Sequence, residues 1–285
     1  MIKPAVVGRM SDAPRFRTRA IPPLPRRLVL VASEKGGVGK SVFTRTLIDF
    51  LRSNGSRIAA YDADGGIGAT LRVLGLRDAT GDLVDDQCAI EGVGYYQGRV
   101  EGERNMVLDC MASREALCVH DLAGGLLGDL TRIIDEGASL DGFMAAIEAE
   151  GYRLTIVHVI SPDVGSAQSV GRWLDLTEEH ADQIAVVNLK HGKPPADFPF
   201  WYGFVDAHGE KKGGKTRARL LSGGGVEIEF PALASGTFAK LDASNIAFSR
   251  AADVGLSVTE RAQVVRFLKE FGDNLVPAKK FLGIE

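Results

Sequence analysis

An apolar run at residues 28–32 leads into Ser33-Glu34-Lys35-Gly36-Gly37-Val38-Gly39-Lys40-Ser41, and residues 43–52 then carry apolar side chains at helical spacing. Strand, glycine loop and helix in that order restrict the chain to a small set of α/β folds that cradle phosphate. Gly36, Gly37 and Gly39 let the backbone adopt dihedrals that other residues avoid and approach a ligand closely. Their N–H groups converge on phosphate oxygens, and the following helix N-terminus adds partial positive charge. Val38 and Val42 flank this cradle. Lys40 supplies a point charge for the outer phosphates, and the Ser41 hydroxyl suits Mg²⁺. The loop therefore reads as a site for ATP with Mg²⁺. One position departs from the general spacing GxxxxGK[ST], because residue 34 is Glu where that pattern has Gly.

Further apolar runs at 58–61, 117–122, 154–160, 184–189 and 226–230 alternate with helix-type stretches near 103–112, 139–150, 166–180 and 259–271. This alternation implies a twisted, mostly parallel sheet with helices on both faces and right-handed crossovers. With 45% apolar residues in 285, one large core is within reach. A single domain over 27–285 is expected. Residues 1–26 differ, carrying Pro4, Pro14, Pro22, Pro23 and Pro25 with Lys3, Arg9, Arg15, Arg17, Arg19 and Arg26 against only Asp12. Proline at this density excludes helix or central strand, so the segment reads as a flexible basic arm. Residues 190–225, with Lys211-Lys212-Gly213-Gly214-Lys215 and Gly223-Gly224-Gly225, read as an insertion or mobile loop.

Three carboxylates fall at strand C-terminal ends, where parallel-sheet sites form. Asp62 and Asp64 follow the second run, and Asp121 closes Leu117-Cys118-Val119-His120-Asp121 ahead of Gly124 and Gly125. His120 alternates to the face opposite Asp121 and reads as a packed histidine.

Lys35, five residues before Lys40, gives the loop its closest resemblance. Lys35-Gly-Gly-Val-Gly-Lys40-Ser41 resembles the deviant Walker A motif of the ParA/MinD ATPases, and the likeness extends in order over about residues 27–271. It implies a P-loop NTPase fold and a nucleotide-dependent homodimer. In that family the extra lysine reaches the nucleotide of the other subunit and stabilises charge on the transferred phosphoryl group. By this likeness Lys35, Lys40 and Asp64 are catalytic, with Asp64 orienting the attacking water. Ser41, Asp62 and Asp121 would serve Mg²⁺, and Gly124-Gly125 would close on the terminal phosphate. Asn188 would meet the adenine edge, and Pro231 to Leu233 would line the base pocket. Many relatives have Pro where this chain has Gly65.

The resemblance implies an ATPase switch that positions or partitions DNA or another cargo, together with a stimulating partner protein. ParA-like members bind DNA nonspecifically, and the basic candidates here are Arg217, Arg219, Arg250, Arg261, Arg266, Lys269, Lys279 and Lys280. A net charge of −3 gives such binding no help in bulk. Three alternatives stay open: a TraL-like conjugative-transfer ATPase, a MinD-like membrane-associated positioning ATPase, and a metabolic P-loop enzyme. The stretch after Leu275 is short and interrupted by Pro277 and Gly283, so stable membrane anchoring is not expected. Cys88, Cys110 and Cys118 form no paired motif, which argues against an iron–sulfur carrier. No apolar run approaches the roughly 20 residues of a membrane span, and a cytoplasmic protein is expected.

Overall fold

The computed structural model describes residues 24–284. The expected arm lies outside the described residues except for its last three, and Arg26 already belongs to the first strand. In chain order, β1 (Arg26–Ala32) is followed by α1 (Lys40–Ser53), β2 (Ala59–Asp62), α2 (Ala69–Leu74), β3 (Gly94–Tyr95), α3 (Glu101–Arg104), α4 (Met106–Asp109) and β4 (Leu117–Asp121). Next come α5 (Leu127–Leu130), α6 (Asp141–Ala149), β5 (Tyr152–Ile160), α7 (Val164–Thr177), β6 (Asp182–Asn188), α8 (Pro199–Tyr202), β7 (Phe204–Val205) and β8 (Lys211–Lys212). The chain continues through α9 (Lys215–Ser222), β9 (Val226–Phe230), α10 (Ser235–Ala243), α11 (Val258–Leu275) and α12 (Lys279–Leu282).

Seven strands form one sheet in the order β3-β2-β4-β1-β5-β6-β9, and every adjacent pair is parallel. β1 shows how the sequence produces this. Val29 and Val31 face one apolar layer, with α1 and α11, while Leu28 and Leu30 face the other, with α6 and Trp173 of α7. A strand buried on both faces has to be apolar throughout, and this one is. α1 buries Phe43, Leu47, Ile48 and Leu51 and stops before Gly55, whose φ is 84°. Phe43 meets Phe230 edge-on at 5.5 Å and Phe271 at 5.9 Å, joining α1 to β9 and α11. Each such ring contributes roughly 2 kcal/mol by burial alone.

The structure revises two expectations. The helix near 103–112 is a broken series: α3, α4 and a 3₁₀ turn over Cys110–Ser113. Asn105, a weak helix former, stands at the break between α3 and α4. Residues 190–225 hold α8, a two-stranded β7–β8 hairpin and α9 rather than a bare loop. Phe198, Trp201 and Leu220 of this stretch pack with Ala167, Val170 and Leu174 of α7. Arg219 also holds Asp175 of α7 and Glu178, the residue just after it, at 2.6 Å. In the C-terminal stretch, Leu275, Ala278, Phe281 and Leu282 are buried, so its apolar residues serve the core. No helix among the described residues is long and apolar enough to cross a membrane.

Candidate nucleotide-binding site

β1 ends at Ala32, and the glycine loop turns from it into α1 at the C-terminal edge of the sheet. Gly39 precedes the helix with φ 101°, and a Cβ there would stand 2.4 Å from Asn188 Nδ2. Only glycine satisfies both the dihedral and the space. Asn188 Nδ2 in turn donates to the Val38 carbonyl at 2.9 Å, and its Oδ1 accepts from Lys190 N–H. Glu34 N–H donates to Ser169 Oγ on α7 at 2.8 Å, and Ser33 Oγ accepts from Lys35 N–H. The loop is thus held from β6 and from α7.

A cavity of 660 Å³ opens beside it, lined by Gly36, Gly37, Gly39, Lys40, Ser41, Val42, Asp64, Asn188, Pro231 and Leu233 among the expected residues. Val38 is buried beneath the loop and takes part through its backbone. Lys40 is buried; burial lowers its pKa, opposed by Asp121, Asp64 and Glu34. Asp121 is fully buried, and burial raises its pKa against hydrogen bonds from the Thr70 and Ser41 hydroxyls. Thr70 Oγ1 lies 2.6 Å from its Oδ2, and Thr44 Oγ1 lies 3.3 Å from Oδ1. Stripped of compensating charge, a carboxylate in such a place favours its neutral form.

Asp62 and Asp64 part company here. Asp62 is buried and accepts backbone N–H bonds from Asp64, Thr70 and Leu71 at 3.0–3.1 Å. Its carboxylate caps the start of α2, whose Thr70 reaches Asp121, and it is not among the residues lining the cavity. Burial and the charge of Asp121 raise its pKa. Asp64 is exposed at the cavity wall, and its carboxylate makes no hydrogen bond among the described residues. Lys35 is also exposed, its chain passing 3.7 Å from where a Gly165 Cβ would stand. Its ammonium has no hydrogen bond or ion pair among the described residues, and it does not line its own chain's cavity. Asn188 reaches the cavity with its amide committed to Val38 and Lys190.

The apolar wall of the cavity, where the resemblance implies the base, was only partly foreseen. Phe230, Phe238 and Phe267 join Pro231 and Leu233, with Lys190, His191, Ser235 and Ala239. These come from β9, α10, α11 and the turn after β6, so no sequence window contains them. Buried Arg45 of α1 lies under this wall, 5.2 Å from the Phe238 ring and 5.6 Å from that of Phe248. Asp242 of α10 holds Arg45 at 2.8 Å and Arg72 of α2 at 3.2 Å, linking the base wall to the helix capped by Asp62.

The basic candidates for DNA are mostly neutralised in place. Arg217 pairs with Glu227, Arg219 with Asp175 and Glu178, Arg250 with Asp253, Arg266 with Glu270, and Lys269 with Asp273. Arg261 donates to the Leu256 carbonyl, and Lys280 lies over the Phe281 ring. His120 is a packed histidine as expected, buried against Tyr96, Tyr61 and Cys110, and burial pushes its pKa down to about 3.

The model of the CobQ/CobB/MinD/ParA nucleotide binding domain matches residues 29–190. The chain belongs to this family. The matched segment runs from β1 through the glycine loop and all three carboxylates to Lys190, just past Asn188. Among solved structures the chain is similar to the cell division protein MinD of Aquifex aeolicus, at 15% identity and TM-score 0.46 over 86% of this chain and 97% of that one. It is similar to MinD of Pyrococcus horikoshii, solved with Mg-ADP, at 14% identity and TM-score 0.47 over 88% and 97%. A nucleotide-binding protein of Archaeoglobus fulgidus in complex with ADP is similar at 17% identity and TM-score 0.41 over 77% and 86%. No curated protein sequence matches the chain.

Proposed function

We propose that the chain is an ATP-dependent, dimerising ATPase switch of the ParA/MinD type, which binds and hydrolyses ATP with Mg²⁺ to position a macromolecular cargo. The observation that carries this reading is the contrast between the two lysines. Lys40 is buried and lines the cavity, within the field of Asp121, while Lys35 is exposed and outside the lining, without a partner among the described residues. An uncommitted cation beside the cavity suits the nucleotide of a second copy.

The remaining roles follow from the donor set. Ser41 and Asp121 offer a hydroxyl and a carboxylate already within hydrogen-bond reach of one another. Hard oxygen ligands of this kind, completed by water and phosphate oxygens, suit Mg²⁺. When bound, the ion would neutralise charge building on the phosphates. Lys40 would hold the outer phosphates, the glycine-loop N–H groups the inner ones. Asp64, with its carboxylate free, would orient a water for attack. Phe230, Leu233 and Phe238 would pack the base.

Size-exclusion chromatography with light scattering tests the switch. The full chain should dimerise with ATP and Mg²⁺, more persistently in Asp64→Ala, and Lys35→Ala should stay monomeric. A monomer under every condition would remove the switch and leave a metabolic P-loop enzyme. DNA co-sedimentation then separates cargoes. Binding that needs ATP and falls steeply with salt would mark DNA as the cargo surface; an ATP dimer that ignores DNA points to a protein cargo.

A further inference from the structure

Arg99 belongs to no motif in the chain, yet the backbone delivers it to the mouth of the phosphate site. After β3 the chain turns back along the Asp62–Asp64 loop. Tyr96 N–H donates to the Asp62 carbonyl, Gly65 N–H to the Tyr96 carbonyl, and Gly98 N–H to the Ala63 carbonyl, each at 3.0 Å. Asp64 and Gln97 pair as an isolated antiparallel bridge. Gly98 lies flush against the segment after β4: a Cβ there would meet Leu126 Cδ1 at 2.6 Å. These contacts fix where the next residue emerges, and that residue is Arg99.

Its guanidinium donates to the Gly124 carbonyl at 2.6 Å, on the loop that follows Asp121. Gly124 is also the neighbour of Lys40: a Cβ there would stand 3.9 Å from Lys40 Nζ. Gly125 is flanked by charges of opposite sign, since a Cβ on it would lie 3.8 Å from Glu34 Oε2 and 3.9 Å from Arg99 Nη2. The carboxylate at position 34 therefore faces the same loop as Arg99 and contributes to the field at Lys40. Arg99 is exposed and forms no ion pair among the described residues. One neutral carbonyl leaves most of its five N–H donors uncommitted, and a phosphate oxygen is a stronger, charge-assisted partner for them.

We propose that Arg99 reads the terminal phosphate of a bound nucleoside triphosphate from within its own subunit, and that Glu34 makes this reading necessary. The inference rests on the nucleotide-switch function proposed above. Glu34 places a negative charge beside the position a third phosphate must approach, so a triphosphate is repelled unless Arg99 turns from the Gly124 carbonyl to meet it. A diphosphate ends short of this contact. Releasing Gly124 frees the loop after β4, so the presence of the third phosphate is transmitted to the segment that carries Asp121.

Equilibrium binding of a non-hydrolysable ATP analogue and of ADP, each with Mg²⁺, tests this on the full chain. Arg99→Ala should weaken the ATP analogue about 10-fold and leave ADP within about twofold. Arg99→Lys should retain part of the discrimination because charge survives without the planar fork. Glu34→Gln should tighten the ATP analogue, and Glu34→Gln with Arg99→Ala should recover part of the loss. Circular dichroism melting of each variant excludes unfolding as the cause. Equal losses for both nucleotides, or none, in Arg99→Ala while the unaltered chain binds both would overturn the Arg99 assignment alone. Failure of the unaltered chain to bind either nucleotide would overturn it together with the function on which it rests.

Discussion

At the end of the cavity proposed for phosphate, Gly36 to Ser41 offer backbone N–H groups and one buried ammonium from a short stretch of chain. At the end proposed for the base, Phe230, Leu233, Phe238 and Phe267 offer apolar surface, and they come from β9, the segment after it, α10 and α11. The first end is local and electrostatic, the second assembled and apolar. Phosphate recognition needs donors at fixed spacing, which a short loop can encode. A base needs only a shaped apolar wall, which distant segments can supply in many ways. Charge is not absent from the base end but lies beneath it, where Arg45 and Asp242 support Phe238.

The sharpest way to break this contrast is at Lys40. Lys40→Ala should weaken ATP and ADP alike by about 100-fold, the value of a charge-assisted contact in a protected site; isothermal titration showing near-normal affinity would sink the phosphate end. Asp242→Ala should come next, at about 2 kcal/mol of stability, because it strands buried Arg45 while its own partial exposure moderates the cost. Urea unfolding measures this, and an unchanged midpoint would mean the buried pair supports nothing. Phe238→Ala should weaken both nucleotides about 10-fold without separating them, as expected of apolar contact area. A selective loss of ATP would show that this wall also senses phosphate. Ser257→Ala, at the capping box of α11, should cost about 1 kcal/mol of stability. Nucleotide affinity should hold, since Phe267 sits well inside the helix; a parallel loss of affinity would show the base wall to be less autonomous than drawn.

The same contrast decides what could be read in advance. The strands at 28–32 and 226–230 were legible because both-face burial demands unbroken apolar runs. The glycine loop was legible because its chemistry depends on spacing, and the family match over residues 29–190 covers it. Asp62 and Asp64 share one strand end in the sequence, and only the resemblance gave them different roles. The structure divides them by depth, one spent on three backbone N–H groups and the other left free. Phe238, Phe267 and Arg45 carried no local signal, since their juxtaposition exists only after α1, α10 and α11 pack. In the 190–225 stretch the glycines drew attention to an insertion or mobile loop, while the contacts of Phe198, Trp201 and Leu220 with α7 had no local signal.

Gly39 and Asn188 constrain which sequences can be reached from this one. A side chain at 39 meets two separate obstacles, a dihedral of 101° and an amide nitrogen 2.4 Å away. Trimming Asn188 clears the second and leaves the first, while releasing the Val38 carbonyl that its amide holds. Neither position therefore offers a single-step escape for a lesion at the other. In a library randomised at both, survivors should keep glycine at 39 whatever stands at 188, a one-way epistasis between a helix start and a strand end that no alignment window would join.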